Sequence, residues 1–364
     1  MSAQELERRR GASADATPGA SASGPAPLLV VENLGVSFSH GSMEAKALRG
    51  IDLAFWPREI HGLVGESGSG KTVTSTCVMG LLPAPPGKIV SGKILFEGKD
   101  LVGLPESEMR KLRGSRLAMV FQEPAKYLNP AFKIGEQITE MLILHKGMDK
   151  SAARAKAKEL LGLVGLGKDG RVLDSYPHEL SGGMKQRAMI AIAISCDPAF
   201  LIADEPTTAL DVTLQLQILR LIRKLKDLLG MAVLFISHDL GVVREVADRV
   251  SVIYAGKIVE TATKESLFEN PLHPYTRLLM LSIPDARKKG RRLATIPGRV
   301  PDADATPSGC AFHPRCPLAD ERCVSETPRL EAWPDGRGSG ASADPSAFAD
   351  HRAACFHPGE SWER

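Results

Sequence analysis

The chain has 364 residues, a formal net charge of +3, and 43% hydrophobic and 5% aromatic residues. That length suits roughly two domains with a full core, and the nearly balanced charge gives no argument for a nucleic-acid partner. No apolar run approaches the 18 or so residues a membrane span needs, and the N-terminus lacks a signal peptide's apolar core. A soluble, cytosolic protein is expected, with any membrane role coming through a partner.

In chain order, residues 1–27 (Arg8-Arg9-Arg10, then Gly, Ala, Ser and Pro) cannot bury a core and are expected to form a disordered tail. Residues 28–38 read as a strand with Phe38 at its end, and residues 47–55 as a second strand. Trp56-Pro57-Arg58-Glu59 then leads into Ile60-His61-Gly62-Leu63-Val64, a short buried strand. Directly after it stands Gly65-Glu66-Ser67-Gly68-Ser69-Gly70-Lys71-Thr72, the pattern G-x-x-x-x-G-K-[ST], followed by a helix start at Val73. Strand, loop and helix in this order are what a phosphate-binding loop requires. The glycines let successive backbone N–H groups turn inward, and the helix N-terminus adds its positive end. Lys71 would reach the β- and γ-phosphates, and the Thr72 hydroxyl would hold Mg²⁺.

Residues 92–98 read as a further short strand, so the first part of the chain suggests an antiparallel sheet layered on a nucleotide-binding core. Residues 116–121 form a buried strand ending at Gln122, and residues 124–180 read as mostly helical. Ser151 is expected to cap a helix whose Ala153, Ala157, Leu160, Leu161 and Val164 follow helical spacing. Beyond Ser181, helices alternate with strands at residues 199–203, 232–236 and 249–254, which argues a parallel sheet covered on both faces. Past about residue 265 the texture becomes Pro-rich and aperiodic, and a domain boundary is expected there.

Two stretches carry further chemistry. Phe200-Leu201-Ile202-Ala203-Asp204-Glu205 is an apolar strand delivering two carboxylates at its C-terminal end, the edge where open α/β sheets bind ligands. Asp204 can hold Mg²⁺, and Glu205 is placed to orient and deprotonate an attacking water. Leu180-Ser181-Gly182-Gly183-Met184 opens a helix with a serine cap, a second cradle for an anion.

The order of phosphate loop, Gln122, Leu-Ser-Gly-Gly, Asp-Glu, Ala209-Leu210-Asp211 and His238 after a strand resembles an ABC-type ATPase subunit over about residues 28–265. The resemblance implies an α/β P-loop ATPase core with an antiparallel β subdomain and a helical subdomain at about 124–180. By it, Phe38 is the adenine-stacking aromatic and residues 65–72 are Walker A. Gln122 is the Q-loop glutamine, which senses Mg²⁺ and faces the membrane partner. Ser181, Gly182, Gly183 and Met184 are the signature, with Met184 where many members carry Gln. Asp204 and Glu205 are Walker B and the catalytic carboxylate, Asp211 belongs to the D-loop, and His238 contacts the γ-phosphate. Ser181 and Gly183 would serve the nucleotide of a second subunit. Arg58 departs from the family, which usually has Gly before Glu59.

Tyr176-Pro177-His178-Glu179, Asn270-Pro271-Leu272-His273-Pro274-Tyr275-Thr276, Ile296-Pro297-Gly298 and Gly309-Cys310-x-Phe312-x-Pro314-Arg315-Cys316 narrow the resemblance to the oligopeptide/dipeptide permease branch, with residues 266–364 as its C-terminal extension. It implies an ATP-hydrolysing importer subunit, peripheral at the cytoplasmic face of the inner membrane. Its partners would be a related second ATPase subunit (a homodimer being the alternative), two permease subunits and an extracytoplasmic substrate-binding protein, with no nucleic acid. Importers of another solute such as nickel, soluble ABC ATPases acting on DNA or ribosomes, and P-loop kinases are the competing classes. One Walker A and no coiled-coil insertion speak against the soluble class, and a kinase has no use for Leu-Ser-Gly-Gly or His238.

Cys77 and Cys196 stand alone, whereas Cys310, Cys316, Cys323 and Cys355 crowd into the tail with spacing C-x5-C-x6-C-x31-C. A cytosolic cysteine cluster points to metal before disulfide. The gaps match no common zinc-finger spacing, and four thiolates suit Zn²⁺ or a 4Fe–4S cluster equally on charge. The branch resemblance implies the iron–sulfur cluster. The four cysteines are expected to converge on one site, with the long gap a surface loop. His313 and His357 lie beside them as bystanders or substitute ligands.

Overall fold

A computed structural model describes residues 26–41, 43–167, 170–208, 210–283, 295–333 and 350–362. The expected disordered tail lies, apart from its last two residues, outside the described residues, as do Ala209 and most of the long gap before Cys355.

Among the described residues, β1 (Leu29–His40), β2 (Met43–Phe55), β4 (Gly87–Phe96) and β5 (Lys99–Asp100) form an antiparallel sheet in the order β2-β1-β4-β5. The larger sheet contains β3 (Ile60–Val64), β6 (Leu117–Val120), β7 (Phe200–Asp204), β8 (Ala232–Ser237) and β9 (Arg249–Tyr254). These five run parallel in the order β9-β3-β8-β7-β6. Every residue of β3, β7 and β8 is buried, which is why these strands read as continuous apolar runs rather than alternating ones. One core lies between the two sheets. The other lies between the parallel sheet and the helical region, where Ile134–Lys146, Lys150–Leu163 and Gly182–Ala193 pack together.

One local feature corrects the sequence expectation and two add to it. The helix Lys150–Leu163 is capped by Asp149, not Ser151: its carboxylate accepts from the Ser151 and Ala152 amides, and a negative charge there also meets the helix dipole. The sheet also continues past Tyr254. Ala255 and Gly256 both take positive φ (44° and 75°), the geometry of a tight hairpin turn. The chain therefore returns as β10 (Lys257–Thr263), antiparallel to β9. Finally, Arg58 sits at φ 65° in the turn before β3, a left-handed conformation that costs a side chain roughly 1 kcal/mol and that glycine adopts freely.

The C-terminal extension completes the sheet instead of standing apart. β12 (Arg352–Ala353) pairs with β10 through Glu260 and Thr261, and β11 (Glu331–Ala332) pairs with β12. Tyr275, Leu278 and Phe312 join the core under the parallel sheet. Among the described residues no helix is long and apolar enough to cross a membrane.

Candidate functional site

The loop between β3 and the helix Lys71–Val78 is built around its glycines. A Cβ at Gly65 would stand 2.2 Å from the Ile253 carbonyl oxygen, so the loop can pass β9 only with glycine there. Gly70, at φ 109°, turns the chain into the helix. Gly68, at φ 80°, has nothing within 4 Å of the place a Cβ would take, leaving the mouth of the loop open. Lys71 curls into this cradle, and its Nζ donates to the Gly65 and Glu66 carbonyls at 2.7 and 2.9 Å. Burial pushes its ammonium pKa down, against the pull of Glu205, Asp204 and Glu66.

β7 ends at the same edge. Asp204 Oδ2 accepts from Ser75 Oγ at 3.1 Å, while its Oδ1 is buried with no hydrogen-bond partner. Burial raises the Asp204 pKa above the ordinary carboxylate range, with hydrogen bonds from Ser75 and Thr72 opposing. An orphaned, desolvated carboxylate oxygen beside the Thr72 hydroxyl fits a divalent cation, which would satisfy it and hold it ionised. The Ser69 hydroxyl is likewise buried without a partner.

Glu205, the next residue, takes φ 45°, outside the regions a side chain prefers. Its amide donates to the Ile236 carbonyl of β8. Its Oε2 accepts from Gln122 Nε2 at 3.1 Å and from Thr208 Oγ1 at 3.0 Å, and its Oε1 lies 3.1 Å from His238 Nδ1. Three side chains, Gln122, Thr208 and His238, thus converge on one carboxylate at the C-terminal ends of parallel strands, the ligand-binding edge of such sheets.

Phe38 lies half-buried at the end of β1, opposite Ala45 in register. Two residues on, the Ala47 carbonyl approaches the Gly70 position to 3.1 Å. Ser181 caps Gly182–Ala193 by accepting from the Met184 amide at 3.4 Å. Ser181 and Gly182 are exposed, and no hydrogen bond among the described residues ties Ser181 to the phosphate loop of its own chain. Asp211 caps the helix Val212–Leu229 through the Leu214 amide at 3.0 Å.

Sequence reasoning missed Ser75 and Thr208. Ser75 follows Thr72 by one helical turn and Thr208 follows Glu205 by three residues, so spacing held a signal for both. It also passed over an apolar groove of about 660 Å³ beside Gln122, lined by Phe121, Tyr127, Leu128, Phe132, Met141 and Met189.

In the tail, Cys323 is buried and Cys310, Cys316 and Cys355 are half-buried, all as free thiols. Burial first, then the neighbouring cysteines, push Cys316 to about 11 and Cys355 to about 12. Cys355 feels all three of the others. Among the described residues, the three donors that come within 4.8 Å of one another are Asp320, Cys323 and His357 rather than three cysteines. His357 Nε2 lies at hydrogen-bond distance, 3.0 Å, from Asp320 Oδ2.

A family model described as "ABC transporter" matches residues 48–208, and one described as "Oligopeptide/dipeptide transporter, C-terminal region" matches residues 259–323. The chain is 50% identical over 310 residues to the oligopeptide transport ATP-binding protein AppD of Bacillus subtilis, covering 85% of this chain and 94% of that one. It is 46% identical over 312 residues to the dipeptide transport ATP-binding protein DppD of Escherichia coli, covering 86% and 95%. Among solved structures, the ATP-binding cassette MJ0796, dimeric in a post-hydrolysis state with ADP and Pi, superposes with a TM-score of 0.59 at 27% identity, covering 65% of this chain and 98% of that one. With half its residues shared along most of its length, a P-loop ATPase site and a matching C-terminal region, the chain belongs to the ABC transporter ATP-binding proteins of the oligopeptide/dipeptide transporter family.

Proposed function

We propose that this chain is the ATP-hydrolysing subunit of a di- or oligopeptide importer, seated peripherally on the cytoplasmic face of a membrane permease. The observation that supports it most is the convergence of Gln122, Thr208 and His238 on Glu205, with the charges of Lys71 and Asp204 close by, in a chain whose relatives are named for peptide transport. Residues 28–265 form the cassette and residues 266–364 its extension.

Lys71 Nζ exchanges its carbonyl partners for the β- and γ-phosphates, and Phe38 stacks on the adenine. Thr72 and Asp204 would hold Mg²⁺, which would supply charge neutralisation at the phosphate oxygens. A carboxylate oxygen of Glu205 takes a proton from water as the water oxygen bonds to the γ-phosphorus and the bond to ADP breaks, giving ADP and phosphate. Gln122 and Thr208 aim that carboxylate, and His238 donates to the γ-phosphate. Such transfer is mostly positioning plus charge stabilisation. The groove beside Gln122, with exposed Tyr127 and Phe132 on its rim, suits an apolar segment of a permease. Movement there would reach Glu205 through the Gln122 hydrogen bond.

Ser181, Gly182, Gly183 and Met184 act on the nucleotide of a second subunit, a related chain rather than an identical one. The exposure of Ser181 and Gly182, and the absence among the described residues of a hydrogen bond from Ser181 to its own phosphate loop, support action in trans. The isolated chain is expected to hydrolyse ATP poorly, and adding the partner subunit should raise the rate per site. Equal rates for a verified dilute monomer and the assembled complex would refute action in trans.

Cys310, Cys316, Cys323 and Cys355 hold a structural 4Fe–4S cluster in this reading. Tetrahedral zinc with bonds of about 2.3 Å needs its sulfurs roughly 3.8 Å apart, and no three of these cysteines approach that closeness. The cluster is a larger body that accepts wider spacing. A metal charge would also overcome the raised thiol pKa values. Anaerobic purification is expected to yield four irons per chain and a brown chromophore; one zinc, or four freely titrating thiols, would overturn it.

A further inference from the structure

The second residue of the phosphate loop, Glu66, is held by the C-terminal extension through both its side chain and its backbone. Glu66 carries a carboxylate within the loop whose task is to receive a polyanion. Arg315, far along the chain in the extension, forks onto it: Nη1 reaches Glu66 Oε2 at 2.7 Å and Nη2 reaches Oε1 at 3.0 Å. The rest of the guanidinium is also spoken for. Its Nε donates to the Pro297 carbonyl at 2.7 Å and Nη1 also reaches the Tyr254 hydroxyl at 3.3 Å. The Tyr254 and Phe312 rings lie within 6.0 Å of it. The Arg315 side chain is 6% exposed and that of Glu66 30%. A second tie comes from the same region: the Glu66 amide donates to the Tyr275 hydroxyl at 2.9 Å. Both side chain and backbone of this loop residue are therefore held by the extension, and Arg315 directly precedes Cys316.

We propose that Arg315 is a positioning residue for the phosphate loop, which neutralises Glu66 and fixes its backbone so that the extension sets the affinity for nucleotide. The inference rests on the nucleotide-site reading above. A bidentate arginine–carboxylate pair is the strongest and most directional of the common ion pairs. Take away the arginine and the carboxylate stays, half-buried and unpaired, beside the place the phosphates occupy. Like charges a few ångströms apart in partly desolvated surroundings repel strongly, so nucleotide binding falls. Take away the Glu66 charge as well and the repulsion disappears.

The test is equilibrium titration of the full chain with a fluorescent ATP analogue. Arg315→Met is expected to weaken binding about tenfold or more, and the double variant Arg315→Met, Glu66→Gln to recover to within about threefold of the parent. A merely structural arginine would give no such rescue. Unchanged affinity in Arg315→Met, or a double variant as weak as the single one, overturns the proposal. If Arg315→Met does not fold, Arg315→Lys carries the test, since it keeps a buried cation but loses the two parallel donors; a smaller loss with the same rescue is expected, and unchanged affinity overturns the inference. Failure of the unsubstituted chain to bind would instead overturn the nucleotide-site reading itself and this inference with it.

Discussion

Replacing Glu205 with glutamine is expected to leave ATP binding intact and to lower turnover by about 10² to 10⁴-fold, the usual size of a lost general base. The substitution is nearly isosteric, and the amide oxygen can still accept from Gln122 and Thr208, which both reach Oε2 in the parent. What disappears is the capacity to take a proton. The strained backbone at φ 45° is kept in place by the hydrogen bond its amide donates to the Ile236 carbonyl, so the side chain should stay aimed at the same point. Binding and single-turnover hydrolysis, measured on the assembled complex, separate the two effects. Turnover near the parent's would remove Glu205 from the chemistry.

Glu260→Ala is expected to have the largest effect on stability. This carboxylate of β10 is fully buried, and it accepts from the Leu272 amide at 2.7 Å and the His273 amide at 2.9 Å. His351 Nε2 lies 2.7 Å from it, and the other ring nitrogen of His351 lies 2.8 Å from Ser266 Oγ. One side chain thus ties the strand to the start of the helix Pro274–Leu281 and to the segment before β12. Removing one partner of a buried polar pair leaves the others desolvated and unpaired, at a cost of about 3–5 kcal/mol. The melting temperature should fall by roughly 10 °C, with loss of hydrogen-exchange protection at Leu272 and His273. Glu260→Gln should lose less, because it keeps an acceptor while turning an amide nitrogen toward a donor. A melting temperature within a degree of the parent's for Glu260→Ala would show that the extension is held by its apolar contacts alone.

Much of the ATP site was readable from residue order because each part of it is local. A glycine-rich loop between a strand and a helix, or a strand ending in two acids, states its own chemistry within a few residues. Backbone conformation follows from those residues and needs no distant partner. The fully buried strands were readable for the same reason, since a strand covered on both faces must be apolar throughout. The cap of Lys150–Leu163 was misassigned because Asp149 and Ser151 both have side chains able to accept from amides, and the choice depends on where the first turn begins. The hairpin into β10 was overlooked because its turn, Ala255-Gly256, carries only one of the usual turn residues.

The composition and motif order of this chain by themselves determined a nucleotide-binding α/β core and a cysteine-bearing tail without periodic apolar residues for a core of its own, and singled out Lys71, Asp204 and Glu205 as candidates for the chemistry. Only the tertiary structure decided what touches what across long separations. Gln122 and His238 meet on Glu205, Glu260 anchors the tail, and Arg315 and Tyr275 reach back to Glu66, across 249 residues in the case of Arg315. Such contacts leave no periodicity or spacing in the sequence. They arise because the tail has too few apolar residues to fold alone and gains burial only by closing on the edge of the sheet that already holds the phosphate loop.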